Sequence, residues 1–279
     1  MKPYLWMLAG CVSFSIMAAL ANQAGQVFAW QWVALLRALL VFVFVVVYAL
    51  HAKQPLVFWR PYTLWMRSIA GSISLVASFY ALTRLPISTV LTLTNTFPIW
   101  VAVLSWPMLG IIPPGRVWLA MLAGITGVWF IEQPEGEGPQ FALMMALIAS
   151  VATAIAMLGL HKLKGVNSSA VVVHFAMVAT LFCIVTFFIF PLEERPLPWE
   201  HLHGTFLLLG IGITATVGQV FLTKAFAAGD PSRVSIIGLT QVVFALLIDM
   251  GQDRSFTTKT LLGMLLIVAP TAWVMRKGK

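Results

Sequence analysis

The sequence predicts an all-α polytopic membrane protein with ten transmembrane helices, arranged as two inverted five-helix repeats. Three observations lead to this class. Hydrophobic residues make up 60% of the chain and charged residues only 9%, against roughly 25% charged in an average soluble protein. Ten apolar stretches have the length of a membrane helix. Part of the chain also repeats, since Ala81, Ser88 and Val90 each recur as the same residue type 144 residues later.

The ten segments follow from the thickness of the bilayer, because a hydrocarbon core of about 30 Å needs about 20 apolar residues in a helix. The first half is assigned to residues 1–133 and the second to residues 138–279. The first segment ends in Ala19-Leu20-Ala21 and resembles a secretory signal, but we expect it to be retained as the first helix. The segments are 4–21, 29–50, 63–82, 87–109, 116–131, 140–160, 169–190, 204–227, 232–250 and 259–275.

The positive charges predict the orientation, since Lys and Arg concentrate in cytoplasmic loops. With a cytoplasmic N-terminus, twelve of the seventeen Lys and Arg residues fall on one side and four on the other, and Arg37 lies inside a segment. Arg67 is counted among the twelve. We therefore expect a multi-pass membrane protein with both termini in the cytoplasm. Five helices per half would insert the second half upside down, an arrangement typical of transporters with a site between the halves.

Arg37 is the one charged residue well inside a predicted segment, between the apolar runs 30–36 and 38–47. An unpaired Arg at mid-membrane costs at least about 2.5–3.5 kcal/mol, so this side chain should face protein or water. We expect a structural role for it, with contact to an anionic substrate group as the alternative. Its counterpart in the second half lies near His174, which we expect to be a hydrogen-bonded packing residue although its imidazole could accept a proton near neutral pH.

Polar side chains cluster near the middle of the fourth and ninth segments. Asn95 and Thr96 precede Pro98, which lacks an N–H and therefore leaves a carbonyl free one turn back. Thr240 and Gln241 stand at the equivalent level of the ninth segment, where Thr240 corresponds to Thr96. We expect the two polar faces to meet across a central cavity.

Several function classes are not indicated. No segment holds a central Asp or Glu, the usual carriers of H⁺ or Na⁺, and no phosphate-binding loop or zinc motif is present. We expect no cofactor, no metal and no enzymatic activity; a transferase that uses His174 is the enzymatic alternative. Because the basic residues are scattered, we expect no nucleic-acid partner. The expected partners are a small-molecule substrate and membrane lipid, with the chain as a monomer or homodimer. Cys11 and Cys183 lie in apolar runs and are expected to be packing residues.

Together these features resemble the drug/metabolite transporter superfamily, in its ten-helix EamA-type branch. The resemblance covers nearly the whole chain. It rests on Arg37, Phe79-Tyr80-Ala81-Leu82 with the following corner at residues 86–88, residues 95–98, residues 122–127, residues 224–234 and Leu261-Leu262-Gly263.

The resemblance implies a secondary transporter of the inner (plasma) membrane that moves a small polar metabolite (an amino acid, an amine or a nucleoside-like molecule), and it favours export by alternating access. A non-transporting scaffold or sensor with the same fold is the alternative. It also implies a cavity lined by the first, third, fourth, sixth, eighth and ninth helices, with Arg37 and His174 behind it. The implied substrate-binding residues are Ser15, Tyr80, Asn95, Trp100, Thr216, Gln219, Thr240 and Gln241.

Overall fold

The computed structural model describes residues 1–82, 84–85, 87–133, 139–200, 202–249 and 257–276. Within these residues the regular structure is helical, with one short 3-10 turn at Pro198–Glu200. The α-helices are α1 (Lys2–Val27), α2 (Trp30–His51), α3 (Thr63–Leu82), α4 (Ile87–Thr94), α5 (Phe97–Leu109), α6 (Gly115–Glu132), α7 (Gln140–Lys162), α8 (Ser168–Ile189), α9 (Leu202–Ala228), α10 (Pro231–Gly238), α11 (Thr240–Asp249) and α12 (Thr258–Arg276).

These helices make ten crossings, because α4 continues into α5 and α10 into α11. Over the described residues, nine crossings have the length and hydropathy of a membrane span. The tenth, α3, is less apolar since it carries Arg67 and several serines. The outer surface is apolar; Phe188, for example, is 85% exposed, as expected for a side chain that faces lipid. The predicted class of an all-α polytopic membrane protein is confirmed.

Two of the ten predicted segments are broken into half-helices. α4 ends at Thr94, and Pro98 lies in the first turn of α5, as the missing N–H of proline predicts. At this break the hydroxyl of Thr96 donates to the carbonyl of Leu93 at 2.6 Å. The second break has no proline, yet the hydroxyl of Thr240 makes the matching bond to the carbonyl of Ile237 at 2.7 Å. The two breaks are therefore built alike.

Helices of the two halves pack in pairs. The most extensive contacts are α1 with α9, α7 with α3, α6 with α12 and α2 with α8. Exchanging the halves converts the first pair into the second, which is the pattern that two related repeats predict. The backbones of α6 and α12 touch: a Cβ on Gly127 would lie 2.6 Å from the carbonyl oxygen of Gly263, and the reverse distance is also 2.6 Å. The repeat boundaries themselves stay a prediction.

The largest difference from the predicted segments concerns α1, which continues to Val27 although its apolar run ends at residue 21. The extension carries Asn22 and Gln26, whose polar side chains lowered the hydropathy but face a cavity. Some parts of the sequence-based assignment lie outside the described residues: Pro86, residue 138, Lys277 and Lys279.

Candidate functional site

A cavity of about 630 Å³ lies between helices of both halves. Its rim includes the exposed residues Gln26 and Arg195, and its opposite end reaches the buried residues Met7 and Met157. The cavity therefore opens at the face where α1 ends and α2 begins, and it is closed towards the face that holds the N-terminus. Its volume is in the range of small-molecule sites.

The floor of the cavity is closed by contacts between α1, α5 and α10. Gly238 lies where α10 ends, and a Cβ added to it would stand 2.9 Å from Cε of Met7 and 3.2 Å from Cζ of Phe97. Both side chains thus pack against the backbone of the half-helix. Since the three helices come from both halves, the closure depends on how the halves sit against each other.

One face of α3 forms a wall of the cavity. The residues are Arg67, Gly71, Ser74 and Ser78, at spacings of three and four that place side chains on a single helix face. The hydroxyls of Ser74 and Thr153 are 2.6 Å apart, which joins α3 to α7. This wall combines one cation with small and hydroxyl side chains.

Arg67 is the most unusual side chain of this wall. It is only 2% exposed, and its guanidinium stacks on the ring of Phe175 at 4.1 Å from the centroid. Within the described part of the chain, its Nε and Nη1 are buried without a hydrogen-bond partner. Gly71 provides the space, because a Cβ there would collide with Nη1 of Arg67. Counting Arg67 as a loop charge was therefore wrong, because α3 buries it in the cavity wall; the orientation expected from the other eleven charges stays a prediction.

Arg37 also lines the cavity, which differs from the expectation that it lies behind it. Its Nε donates to the thioether of Met17 at 3.2 Å, and sulfur is a weak acceptor. At the rim, Arg195 pairs with Glu193 at 2.9 Å and donates to the carbonyl of Gly25 at 2.7 Å. This last bond joins the segment after α8 to the end of α1.

Three of the predicted substrate-binding residues line the cavity: Ser15, Gln219 and Gln241. The Ser15 hydroxyl is 2.8 Å from the carbonyls of both Cys11 and Gln241, so it joins α1 to the start of α11. Gln219 is 4% exposed, and its Nε2 has no partner among the described residues. A buried amide without a partner is costly, which makes Gln219 available to a ligand.

The polar residues at the helix breaks are used by the breaks themselves. The Asn95 amide donates to the carbonyl of Leu91 at 2.8 Å, and the Thr96 hydroxyl lies 2.9 Å from that of Ser150. Thr240 is buried, and its hydroxyl donates to the carbonyl of Ile237 in the preceding half-helix, α10. Of the four residues expected to meet across the cavity, only Gln241 lines it. The two polar faces therefore do not line the cavity together.

The remaining predicted residues lie away from the cavity lining. Tyr80 packs in an aromatic cluster, with ring centroids 5.5 Å from Phe141 and 4.9 Å from Phe190. Trp100 packs against an apolar core cluster, and the hydroxyl of Thr216 bonds within its own helix. Their predicted contact with substrate is not supported by position.

His174 is fully buried and lies outside the cavity lining. Its Nδ1 is 2.7 Å from the hydroxyl of Ser68, and its ring meets that of Trp65 edge-on at 4.6 Å between centroids. These contacts fit the expected packing role, which stays a prediction.

A model of the EamA-like transporter family matches residues 1–133 and, again, residues 140–276. The chain belongs to the EamA-like transporter family. A crystal structure of a protein 15% identical in sequence superposes with a TM-score of 0.84 over 99% of this chain and 98% of that one, which shows that the two share a fold.

Several transporters are similar to this EamA-like chain in sequence. The pseudopaline exporter CntI of Pseudomonas aeruginosa is 28% identical over 189 residues, which span 65% of this chain and 63% of the exporter. An uncharacterised transporter of Helicobacter pylori is 26% identical over 72% of this chain and 69% of its own length. Mouse solute carrier family 35 member G1 is 25% identical over 75% of this chain and 60% of its own length.

Arg67, Asn22 and Gln26 are among the lining residues of this EamA-like chain that sequence reasoning missed. A signal for the first was present. Arg67 shares a helical stripe with Gly71 and with serines further along α3, and such a stripe predicts one polar face. Its position near the predicted start of the segment led to a loop assignment instead.

Proposed function

We propose that the protein is a secondary transporter that moves a small polar metabolite (an amino acid, an amine or a nucleoside-like molecule) across the inner membrane by alternating access, in the outward direction. The observation that carries the proposal is the cavity of about 630 Å³, formed by helices of both halves, open at one end and closed at the other. Membership of a transporter family supports the same conclusion.

The floor contacts suggest how access would alternate. At the floor, Phe97 packs on the backbone of Gly238, so separating α5 from α10 at this point breaks van der Waals contacts. α1 stays joined to α10, because the Cys11 thiol lies 3.6 Å from the carbonyl oxygen of Gly238. At the rim, the contact of Arg195 with the end of α1 is already made. A rocking motion of the halves would open the floor and narrow the rim around a site at mid-membrane.

The proposed direction depends on the orientation expected from the charges. With both termini in the cytoplasm, the cavity faces outward, as it would at the release step of export. One relative carries the name of an exporter, which concerns that protein and supports the direction here as an analogy. The substrate and surrounding lipid are the partners that this mechanism requires.

Flux in proteoliposomes tests the proposal. Purified protein is reconstituted and screened with labelled amino acids, amines and nucleosides, with and without a pH gradient. Gln219→Leu removes an unpartnered amide from the cavity and should reduce the rate for a transported solute by roughly tenfold, the value of one buried hydrogen bond. Thr126→Val is the matched control, because its hydroxyl is exposed on α6 and bonds only within that helix.

The outcomes separate the candidate functions. Solute-dependent flux that falls in Gln219→Leu and persists in Thr126→Val supports transport through the cavity. Folded protein without flux for any solute of the panel contradicts it and favours a scaffold or sensor with the same fold.

A further inference from the structure

We propose that Arg67 binds an anionic group of the transported molecule, a carboxylate or a phosphate, and that Arg37 is a second cation on the path to it. This inference rests on the proposed transport function and specifies the class of substrate.

The hydrogen-bonding state of Arg67 is the first argument. A guanidinium has five N–H donors and cannot be deprotonated in a protein. The stacking on Phe175 covers one face of the group and uses none of those donors. Among the described residues no acceptor reaches Nε or Nη1, and the side chain is 2% exposed. Its remaining route to an acceptor is the cavity that it lines.

A purely structural role would look different. An arginine that locks helices together bonds to backbone carbonyls or to an acid, and an arginine that snorkels leaves its head group in water. Arg67 does neither among the described residues. The chain instead keeps room for the free guanidinium, since Gly71 lacks the side chain that would displace it. α7 also approaches closely at Gly159, where a Cβ would lie 3.2 Å from Cβ of Arg67.

The charge of the cavity is the second argument. Its described lining holds three arginines and one acid, and that acid, Glu193, is paired with Arg195 at the rim. Below the rim the described lining therefore carries Arg37 and Arg67 and no Asp or Glu. A narrow apolar site with one sign of charge concentrates ions of the opposite sign. The cavity is suited to an anion and disfavours a simple amine.

The two cations lie at different depths. At 1.5 Å per residue, Arg37 lies about 10 Å below the start of α2 at Trp30, and Arg67 about 22 Å below the end of α3 at Leu82. Arg37 keeps N–H donors available to a ligand, because its Nε donates to a thioether, which is a weak acceptor. An anion that moves between the floor and the rim would thus pass from one guanidinium to the other.

Binding to matched pairs of solutes tests the inference. The pairs are glutamate with glutamine, succinate with succinamide, and AMP with adenosine, so that carboxylate and phosphate are examined separately. Affinity is measured from the thermal shift of the purified protein, and flux in proteoliposomes. In the wild type, the charged member of at least one pair should bind at least tenfold more tightly than its neutral partner, as a charge-assisted hydrogen bond predicts.

Two variants examine Arg67 directly. Arg67→Gln should abolish the preference for the charged member, and Gly71→Ala should weaken it because the added methyl displaces the guanidinium while the charge remains. Gly10→Ala is the matched control: it changes another helical glycine, where a Cβ would meet its neighbours at an ordinary 3.5 Å. Arg37→Gln should reduce the preference less than Arg67→Gln does.

Each result decides the matter. If the neutral solutes of the pairs bind and are transported as well as the charged ones, anion binding at Arg67 is overturned and the transport proposal stands. If the protein is folded but shows neither binding nor flux, both proposals are overturned. A charge preference that survives in Arg67→Gln also overturns anion binding at Arg67. The melting temperature of Arg67→Gln should equal or exceed that of the wild type, because the variant removes a buried unpaired charge; a large decrease would assign Arg67 a structural role and contradict the proposal.

Discussion

α3 and α9 occupy corresponding places in the two halves, yet they differ at the positions that matter most. With the 144-residue offset between the halves, Arg67 corresponds to Ile211 and Gly71 to Ala215, and all four residues are buried. Ile211 packs in an apolar cluster with Phe28. One helix thus carries a cation with a glycine that makes room for it, and the other carries an isoleucine with an alanine.

The difference shows that the packing of these helices does not require a cation at this position. The same position is filled by a simple apolar side chain in the other half, and the helix there packs equally closely against its neighbours. Arg67 and Gly71 therefore both differ from the apolar packing seen at the corresponding positions of α9. A departure of this kind is typical of a site that serves a ligand, since functional sites are where packing rules are broken.

The largest effect is expected when a cation is placed at the corresponding position of the second half. Ile211→Arg should cost about 3 kcal/mol or more of stability, because its charge would enter an apolar cluster that lacks a partner for it. Arg67→Met should be neutral or stabilising. The thermal unfolding of both variants in detergent is the measurement. Ile211→Met is the control for the size of the new side chain. Equal losses for Ile211→Arg and Arg67→Met would show that the two positions are equivalent after all.

A pair of glycines provides the opposite case, in which the halves should behave alike. Gly127→Ala and Gly263→Ala each place a methyl 2.6 Å from the facing carbonyl oxygen, so each should lower stability by about 1–3 kcal/mol. The melting temperature is the measurement, and Gly10→Ala should leave it unchanged or raise it. A clear loss in one variant alone would contradict the symmetric contact.

Substitutions at the two helix breaks should lower stability by a smaller amount, and by different amounts at the two breaks. Thr96→Val and Thr240→Val each remove a hydroxyl bond at a break, at a cost of about 0.5–1.5 kcal/mol. Thr96→Val should lose more, since its hydroxyl also contacts Ser150 on α7. Denaturation of the two variants side by side checks the order. Loss confined to Thr240→Val would reverse it.

Most of the fold could be predicted from the sequence because the bilayer dictates the length of its helices. α6, for example, runs from Gly115 to Glu132, one residue beyond the predicted segment at each end. The break before α5 also follows from Pro98. The break before α11 could not be found in this way, since no proline marks it.

The site was harder to predict, because the rotation of a helix about its axis determines which of its residues line the cavity. Gln219 lines the cavity while Thr216, less than one turn away, does not. Hydropathy alone gives the length of a helix and leaves that rotation open. Arg67 was missed for another reason, since it lies near the start of the predicted segment 63–82 and was counted with the charges of one membrane face.

The buried guanidinium of Arg67 has a consequence for the energy source of transport. A monoanion that leaves a cell with a negative interior gains about 2.3 kcal/mol per 100 mV of membrane potential. This corresponds to a gradient of roughly 50-fold at equilibrium. An anion that binds at Arg67 could therefore be expelled by voltage alone. Such a carrier needs no proton-binding carboxylate beside its substrate, in keeping with the described lining below the rim, where no Asp or Glu occurs.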